Sequence, residues 1–204
     1  MGAKFPVSPL ILINKLNNTQ MIDCNEIIGR YYQPATPLHH ILITHSVQVA
    51  QLADSLCQRL LDAGTPIDAD FVHEAAMLHD IGIIKVNAPS IHCNGTEPYI
   101  CHGIQGRKML ESLGLFRHAM VCERHTGAGL SLQEIIAQQL PLPHRDMLPL
   151  SIEEKLVCYA DKFFSKTHLS EPPKPMSRVR EQMLRFGADS LDRFNAMASL
   201  FGEP

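Results

Sequence analysis

The run Ala75-Ala76-Met77-Leu78-His79-Asp80-Ile81-Gly82 joins an apolar, helix-like stretch to two metal-ligand side chains and a glycine. Phe71, Val72, Ala75, Ala76, Leu78 and His79 recur at helical spacing, so this stripe faces a core. Asp68 is the expected N-cap, and Gly82 stands where the helix C-terminus is expected. An imidazole and a carboxylate side by side at a helix end are hard to explain by packing, because a buried carboxylate without a partner is costly.

Outward from this pair, the same combination recurs. A long helix is expected over residues 38–62, where Leu38, Ile41, Leu42, His45, Val49, Leu52, Ala53, Leu56 and Leu60 share an inward face. Pro34 and Pro37 precede it, and Gly64-Thr65-Pro66 ends it. A strong helix is expected over 151–166, with Ser151 as N-cap and Asp161 on the face of Val157, Cys158 and Phe164. Shorter helices are expected near 20–31, 102–113, 116–125, 131–139, 177–187 and 189–201. Residues 83–100 and 127–150 read as loops, and loops that long are often functional, so both are expected to shape a pocket. Strand signals are scarce, and the expected fold class is all-α.

Three regions follow: 1–37 as an N-terminal leader and short helix, 38–166 as the main domain, and 167–204 as a C-terminal helical extension packing on that domain. With 204 residues, 45% hydrophobic and 19% charged, a sizeable core is affordable. The net charge of −3 offers no electrostatic case for nonspecific nucleic-acid binding. The six cysteines form no CxxC and no disulfide-like framework, so buried thiols are expected. The N-terminal apolar stretch is cut off by Asn14, Lys15, Asn17 and Asn18, and Met1-Gly2 lies in a weak myristoylation context. Neither a signal peptide nor a membrane span is expected, and the reading is a cytoplasmic protein; the sequence carries no signal of oligomeric state.

His45, His79, Asp80 and Asp161 together make a mixed nitrogen–oxygen ligand set, which suits a divalent transition metal such as Fe, Mn, Ni, Co or Zn. One metal cluster satisfies at once what packing would have to satisfy residue by residue. Asp80 has two oxygens to share between two ions, and His102 and His125 would complete a second ion's shell.

The order His45…His79-Asp80…Asp161 resembles the HD-domain superfamily of metal-dependent phosphohydrolases, and His79-Asp80-Ile81-Gly82 resembles its HDIG subgroup. The likeness covers roughly residues 38–166. It implies an α-helical bundle around one or two divalent metals, and hydrolysis of phosphoester or phosphoanhydride bonds, often in nucleotides. His102-Gly103 and His125-Thr126-Gly127 resemble the extra histidines of two-metal members, among them a branch that cleaves dinucleoside tetraphosphates. Lys162, beside the last ligand, departs from that branch. The chain departs from the cyclic-dinucleotide phosphodiesterase branch at Arg124-His125, where that branch has adjacent histidines, and at Ile83-Ile84, which stand before Lys85.

Such a site needs cations for the nonbridging phosphoryl oxygens, and Lys85, Arg124, Arg145 and Lys162 are the expected sources, with Asp80 at the catalytic centre. His144, Asp146 and Glu123 are the acids near enough in sequence to serve a leaving group. Glu74 reads either as a carboxylate orienting a ligand histidine or as a solvent-facing residue. The expected partner is a small phosphorylated substrate, a nucleotide above all. Two other readings use the same ligands: a metal- and nucleotide-binding regulatory module without turnover, and a di-iron oxygenase.

Overall fold

The computed structural model of the protein describes residues 21–204. The N-terminal leader, with its signal-peptide and myristoylation readings, lies outside the described residues apart from its last part. Among the described residues there are nine α-helices: α1 (Cys24–Gly29), α2 (Pro37–Asp62), α3 (Ala69–Leu78), α4 (His102–Glu111), α5 (Phe116–Arg124), α6 (Leu132–Ala137), α7 (Ile152–Asp161), α8 (Met176–Phe186) and α9 (Ala188–Phe201). The strands are two antiparallel pairs of residues, β1 (Asn87–Ala88) and β2 (Cys93–Asn94), in the register Asn87 to Asn94. The all-α expectation holds. None of the described helices is long and apolar enough to cross a membrane.

Local chemistry sets the helix starts. Thr36 caps α2 by accepting from the His39 amide at 3.3 Å, with Pro37 in the first turn. Asp68 caps α3 through the Phe71 amide at 3.2 Å, and Ser151 caps α7 through Glu154 at 3.1 Å. Ser131 and Glu134 form a reciprocal capping box on α6.

The core lies where α2 packs against α3 and α7, with α5 closing over α3 and α7. Val49, Ala53, Val72, Leu78, Leu156 and Val157 are sealed from water there. Each fully buried Leu or Val contributes roughly 1.5–3 kcal/mol. The C-terminal helices share this core: Phe194 stacks on Tyr159, and the Tyr159 hydroxyl donates to the Gly202 carbonyl at 2.8 Å. Arg193 on α9 reaches back to Glu134 on α6 at 2.7 Å. Leu130, Ile135, Leu142 and Met147 form a smaller second cluster under the 127–150 segment.

Two expectations change. α7 ends at Asp161, not at 166. Its last turn tightens through bonds from Lys162, Phe163 and Phe164 to carbonyls three residues back. The Lys174 ammonium then takes the carbonyls of Lys162 (3.0 Å) and Phe164 (2.9 Å), which halts the helix and turns residues 165–167 aside.

Gly82 is the second change. It does not end α3, which stops at Leu78; it lies in a 3-10 turn, Ile81–Lys85. It is glycine because α4 lies directly against it. A Cβ there would meet the His102 carbonyl oxygen at 2.1 Å and the Gly106 nitrogen at 2.3 Å. A Cβ on Gly103 would in turn meet the Cys122 carbonyl oxygen at 2.5 Å, so α4 lies as closely on α5. Tyr32 pins the turn from the other side, donating to the Ile81 carbonyl (2.7 Å) and accepting from the Ile84 amide (3.1 Å).

Backbone cannot yield as a flexible side chain does. Gly82→Ala is therefore expected to destabilise the protein by more than about 3 kcal/mol, beyond ordinary overpacking. Gly64→Ala, at a turn with free space around it, is the control; its φ of +79° predicts a smaller loss. Thermal melting of the two variants checks the order.

Candidate metal centre

Helix ends deliver most of the ligand-type residues. His45 projects from the middle of α2, whereas His79 caps the end of α3, His102 opens α4, His125 caps the end of α5, and Asp161 is the last residue of α7. Asp80 follows His79 with φ −105° and ψ 10°, outside helical geometry. That departure lets two sequence neighbours, which a regular helix would splay by about 100°, point at one centre.

All six side chains converge and are buried. Asp80 stands between two groups. Its Oδ2 lies 3.2 Å from Nε2 of both His45 and His79. Asp161 Oδ1 closes that side, 3.0 Å from His45 Nε2 and 3.5 Å from His79 Nε2. Asp80 Oδ1 faces the other side, 3.5 Å from His102 Nε2 and 3.4 Å from His125 Nε2. Among the described residues, two groups could thus hold a metal ion: His45, His79, Asp80 and Asp161, and Asp80, His102 and His125.

Backbone carbonyls orient the rings. Nδ1 of His79 lies 2.6 Å from the Ala76 carbonyl, His102 Nδ1 2.8 Å from that of Tyr99, and His125 Nδ1 2.8 Å from that of Cys122. A carbonyl only accepts, so each Nδ1 carries a proton and each Nε2 faces the centre, as a lone pair wherever the ring is neutral. Nε2 of His102 and His125 are 3.0 Å apart, which sets two lone pairs against each other unless a cation intervenes. Burial, and then the neighbouring His125, push His102 down to about 3, so a proton is a poor candidate for that cation. Burial opposes charging of His79 as well, but the Asp80 and Asp161 carboxylates outweigh it and raise the ring to about 9.

Asp80 Oδ1 and His79 Nε2 are buried without a hydrogen-bond partner among the described residues. Such groups are rare in native proteins because each forfeits its hydration. The donor set fits one or two divalent ions, with Asp80 shared between them.

A cleft of about 430 Å³ opens onto this centre. His102, His125 and Asp161 are on its floor, with Thr126 and Gly127 beside them. Ala88, Ser90, Ile91 and Tyr99 make one wall, so the 83–100 segment contributes as expected. The 127–150 segment meets the cleft only at Gly127; its place is taken by Lys162, residues 164–167, Lys174 and three residues of α8, Gln182, Met183 and Phe186. The C-terminal extension therefore builds part of the cleft.

The expected phosphate-binding cations divide. Lys162 lines the cleft, with Nζ 2.7 Å from Asp161 Oδ2 and 2.9 Å from the His125 carbonyl. Lys85 is exposed and outside the cleft, because the 3-10 turn that Gly82 holds against α4 ends there. Arg124 is turned away to both oxygens of Glu154, at 2.9 and 3.0 Å. Arg145 grips Glu123, which Arg107 also holds. Lys85, Arg124 and Arg145 thus fall away from the centre, the two arginines because carboxylates on neighbouring elements claim them. Their closeness in sequence to ligands or loops did not translate into closeness in space.

Glu74 is buried, but it orients no ligand histidine; it accepts from the Ile22 amide at 2.8 Å and meets His118 Nε2 at 3.0 Å, tying α1, α3 and α5 together. Among the acids near enough in sequence to serve a leaving group, His144 is exposed and Asp146 accepts the Leu132 amide. All six cysteines are free and buried, as expected. Two reinforce the centre: Cys122 donates to the Leu78 carbonyl at 3.3 Å and Cys158 to that of His125 at 3.4 Å. Burial pushes the Cys158 thiol up to about 11, so it stays a donor.

Sequence reasoning missed Lys166, whose Nζ lies 2.6 Å from Asp80 Oδ2. A helix continued to 166 would have carried it past the centre; the early end of α7 brings it in. Tyr99, an aromatic of the 83–100 segment, stacks on His102 with ring centroids 4.9 Å apart.

The family model of the HD domain matches residues 42–165. The chain belongs to the HD-domain family, in the superfamily of metal-dependent phosphohydrolases that its residue order resembles. An uncharacterized protein of Methanocaldococcus jannaschii is 32% identical over 127 residues, covering 62% of this chain and 68% of that protein. The tRNA (cytidine(56)-2'-O)-methyltransferase of Picrophilus torridus is 33% identical over 149 residues, and that of Thermoplasma volcanium 27% over 159. These alignments cover 72% and 78% of this chain but only 38% and 42% of the methyltransferases. Among solved structures, the HD domain of the L. monocytogenes phosphodiesterase PgpH superposes with a TM-score of 0.47 at 14% identity, over 88% of this chain and 97% of that one.

Two ligand groups that share Asp80 would give a loaded centre an asymmetric mutational signature. Elemental analysis of anaerobically purified protein is expected to give close to two metal equivalents. His102→Ala should retain about one, and Asp80→Ala close to none. Equal losses in the two variants would mean that the groups are not separate sites.

Proposed function

We propose that the protein is a metal-dependent phosphohydrolase that cleaves a phosphoester or phosphoanhydride bond of a nucleotide. The observation that carries this reading is the pair of ligand groups sharing Asp80 at the floor of a cleft that also holds ammonium and aromatic side chains. His45, His79, Asp80 and Asp161 would hold one ion, and Asp80, His102 and His125 a second. When bound, divalent ions supply Lewis acidity that brings the pKa of water down to about 7 and positive charge for phosphoryl oxygens.

The chain's own residues do the rest. The carbonyl-anchored histidines keep their lone pairs on the centre, so little reorganisation is needed when charge develops. Lys162 sits beside Asp161 at the edge of the floor, where one ammonium hydrogen remains for a nonbridging oxygen once two are used by Asp161 and His125. Tyr99, Phe164 and Phe186 give the cleft apolar faces suited to a base. A nucleotide phosphate is itself a good leaving group, which reduces the demand for a dedicated acid. The location that suits such a substrate is the cytoplasm. Methyl transfer, the activity for which two longer relatives are named, gains no support from a cluster of imidazoles and carboxylates.

A panel of nucleoside mono-, di- and triphosphates and dinucleotides, assayed for phosphate or nucleotide release with Mn²⁺, Co²⁺, Ni²⁺, Zn²⁺ or Fe²⁺, tests the reading. Turnover is expected to vanish with chelator and to fall at least roughly a hundredfold in Asp161→Ala. Lys85→Ala, remote from the cleft, should stay within about twofold, the size of an ordinary surface change. Tight nucleotide binding without release under any of these metals would favour a regulatory module. Oxygen consumption without phosphate release would favour oxygenase chemistry.

A further inference from the structure

Three lysines line the cleft, and their ammonium groups are committed differently. Lys174 spends its hydrogens on the carbonyls of Lys162 and Phe164 and on Gln182 Oε1 at 3.3 Å, so it is a structural cap. Lys162 pairs with Asp161 through Oδ2, whereas the oxygen that Asp161 turns toward the histidines is Oδ1. Lys162 and an ion can therefore use the same carboxylate from opposite sides. Lys166 is different. Its Nζ sits 2.6 Å from Asp80 Oδ2, the same oxygen that faces His45 and His79. Its side chain is 13% exposed and Asp80 is fully buried, so this contact is little screened by water.

From this difference, and resting on the metal-centre reading above, we propose that Lys166 is an internal cation that holds Asp80 in the metal-free protein, is displaced into the cleft when metal binds, and there takes a phosphoryl oxygen of the substrate. Two positive charges cannot share one carboxylate oxygen cheaply. His45, His79 and Asp80 Oδ2 would hold the ion, and its charge there would repel the ammonium. The lysine has somewhere to go: it already lines the cleft, it follows the end of α7, and its four-carbon stem swings without moving backbone. Displacement delivers an unpaired ammonium beside the ions, where phosphate charge gathers. The centre thereby balances Asp80 in both states and readies a phosphate contact only when it is loaded.

The variant-free test is amine acetylation of the full chain at fixed pH, quantified at each lysine by mass spectrometry. Saturating Mn²⁺ is expected to raise labelling of Lys166 at least about threefold and to leave Lys174 unchanged, since an ammonium released from a buried ion pair is more exposed to the reagent. Unchanged or reduced Lys166 labelling in protein shown to hold Mn²⁺ overturns the proposal. The second test is calorimetric. Lys166→Met, which keeps length and removes charge, should bind Mn²⁺ at least about tenfold more tightly than wild type, as expected when a competing cation is deleted. Once loaded, it should bind inorganic phosphate at least about tenfold more weakly, while Lys166→Arg stays closer to wild type on both. Equal Mn²⁺ affinity in wild type and Lys166→Met overturns the competition, and equal phosphate affinity overturns the substrate contact. Absence of Mn²⁺ binding in both proteins would fell the metal-centre reading itself. That outcome is distinct from metal binding that ignores residue 166.

Discussion

A carboxylate sealed from water has to be neutralised where it sits, and Asp80 is sealed on every side. In a low-dielectric interior an uncompensated charge is among the costliest things a fold can hold. Here the surroundings all answer it: imidazoles on both oxygens, an ammonium on Oδ2, and Asp161 with its own lysine close by. Burial pushes the Asp80 carboxyl upward, but Lys166 and His79 hold it well below the usual range, so it stays ionised. Five helices, α2, α3, α4, α5 and α7, meet at this point, and four of them bring an imidazole to the carboxylate.

Bringing those groups together requires backbones closer than ordinary helix packing allows. Helices that meet through side chains lie about 8–10 Å apart. The contacts of Gly82 with α4 and of Gly103 with α5 remove the intervening Cβ atoms, and His102 and His125 reach the centre only because of that. Tyr32 and Cys122 fasten the same joint through hydrogen bonds to carbonyls at Ile81 and Leu78. Stability and chemistry thus share residues: the glycines that let α4 approach are also what places the second ligand group.

The C-terminal segment has a comparable double role. α9 completes the aromatic cluster around Tyr159, while α8 and the turn after α7 wall the cleft. The same Lys174 that terminates α7 gives residues 162–167 their course along the cleft. The shape of the cleft therefore rests partly on a region that gives the centre none of its six ligand-type residues.

The helical class, the inward faces of α2, α3 and α7, the caps at Asp68 and Ser151, and all six ligand-type residues were legible in the sequence. They are governed by periodicity and by local hydrogen bonding, and a titratable side chain on an otherwise apolar stripe marks itself. Which cations face the centre was not legible. Lys85, Arg124 and Arg145 were near ligands or loops along the chain, yet Arg124 and Arg145 are claimed by Glu154 and Glu123 from other elements, and Lys85 points outward. Lys166 enters because α7 stops five residues sooner than its amphipathic pattern suggests. Side-chain pairing between distant segments, and the point at which a helix yields to a competing cap, depend on contacts across the fold. Local sequence decided what each segment is; only tertiary packing decided which charges meet.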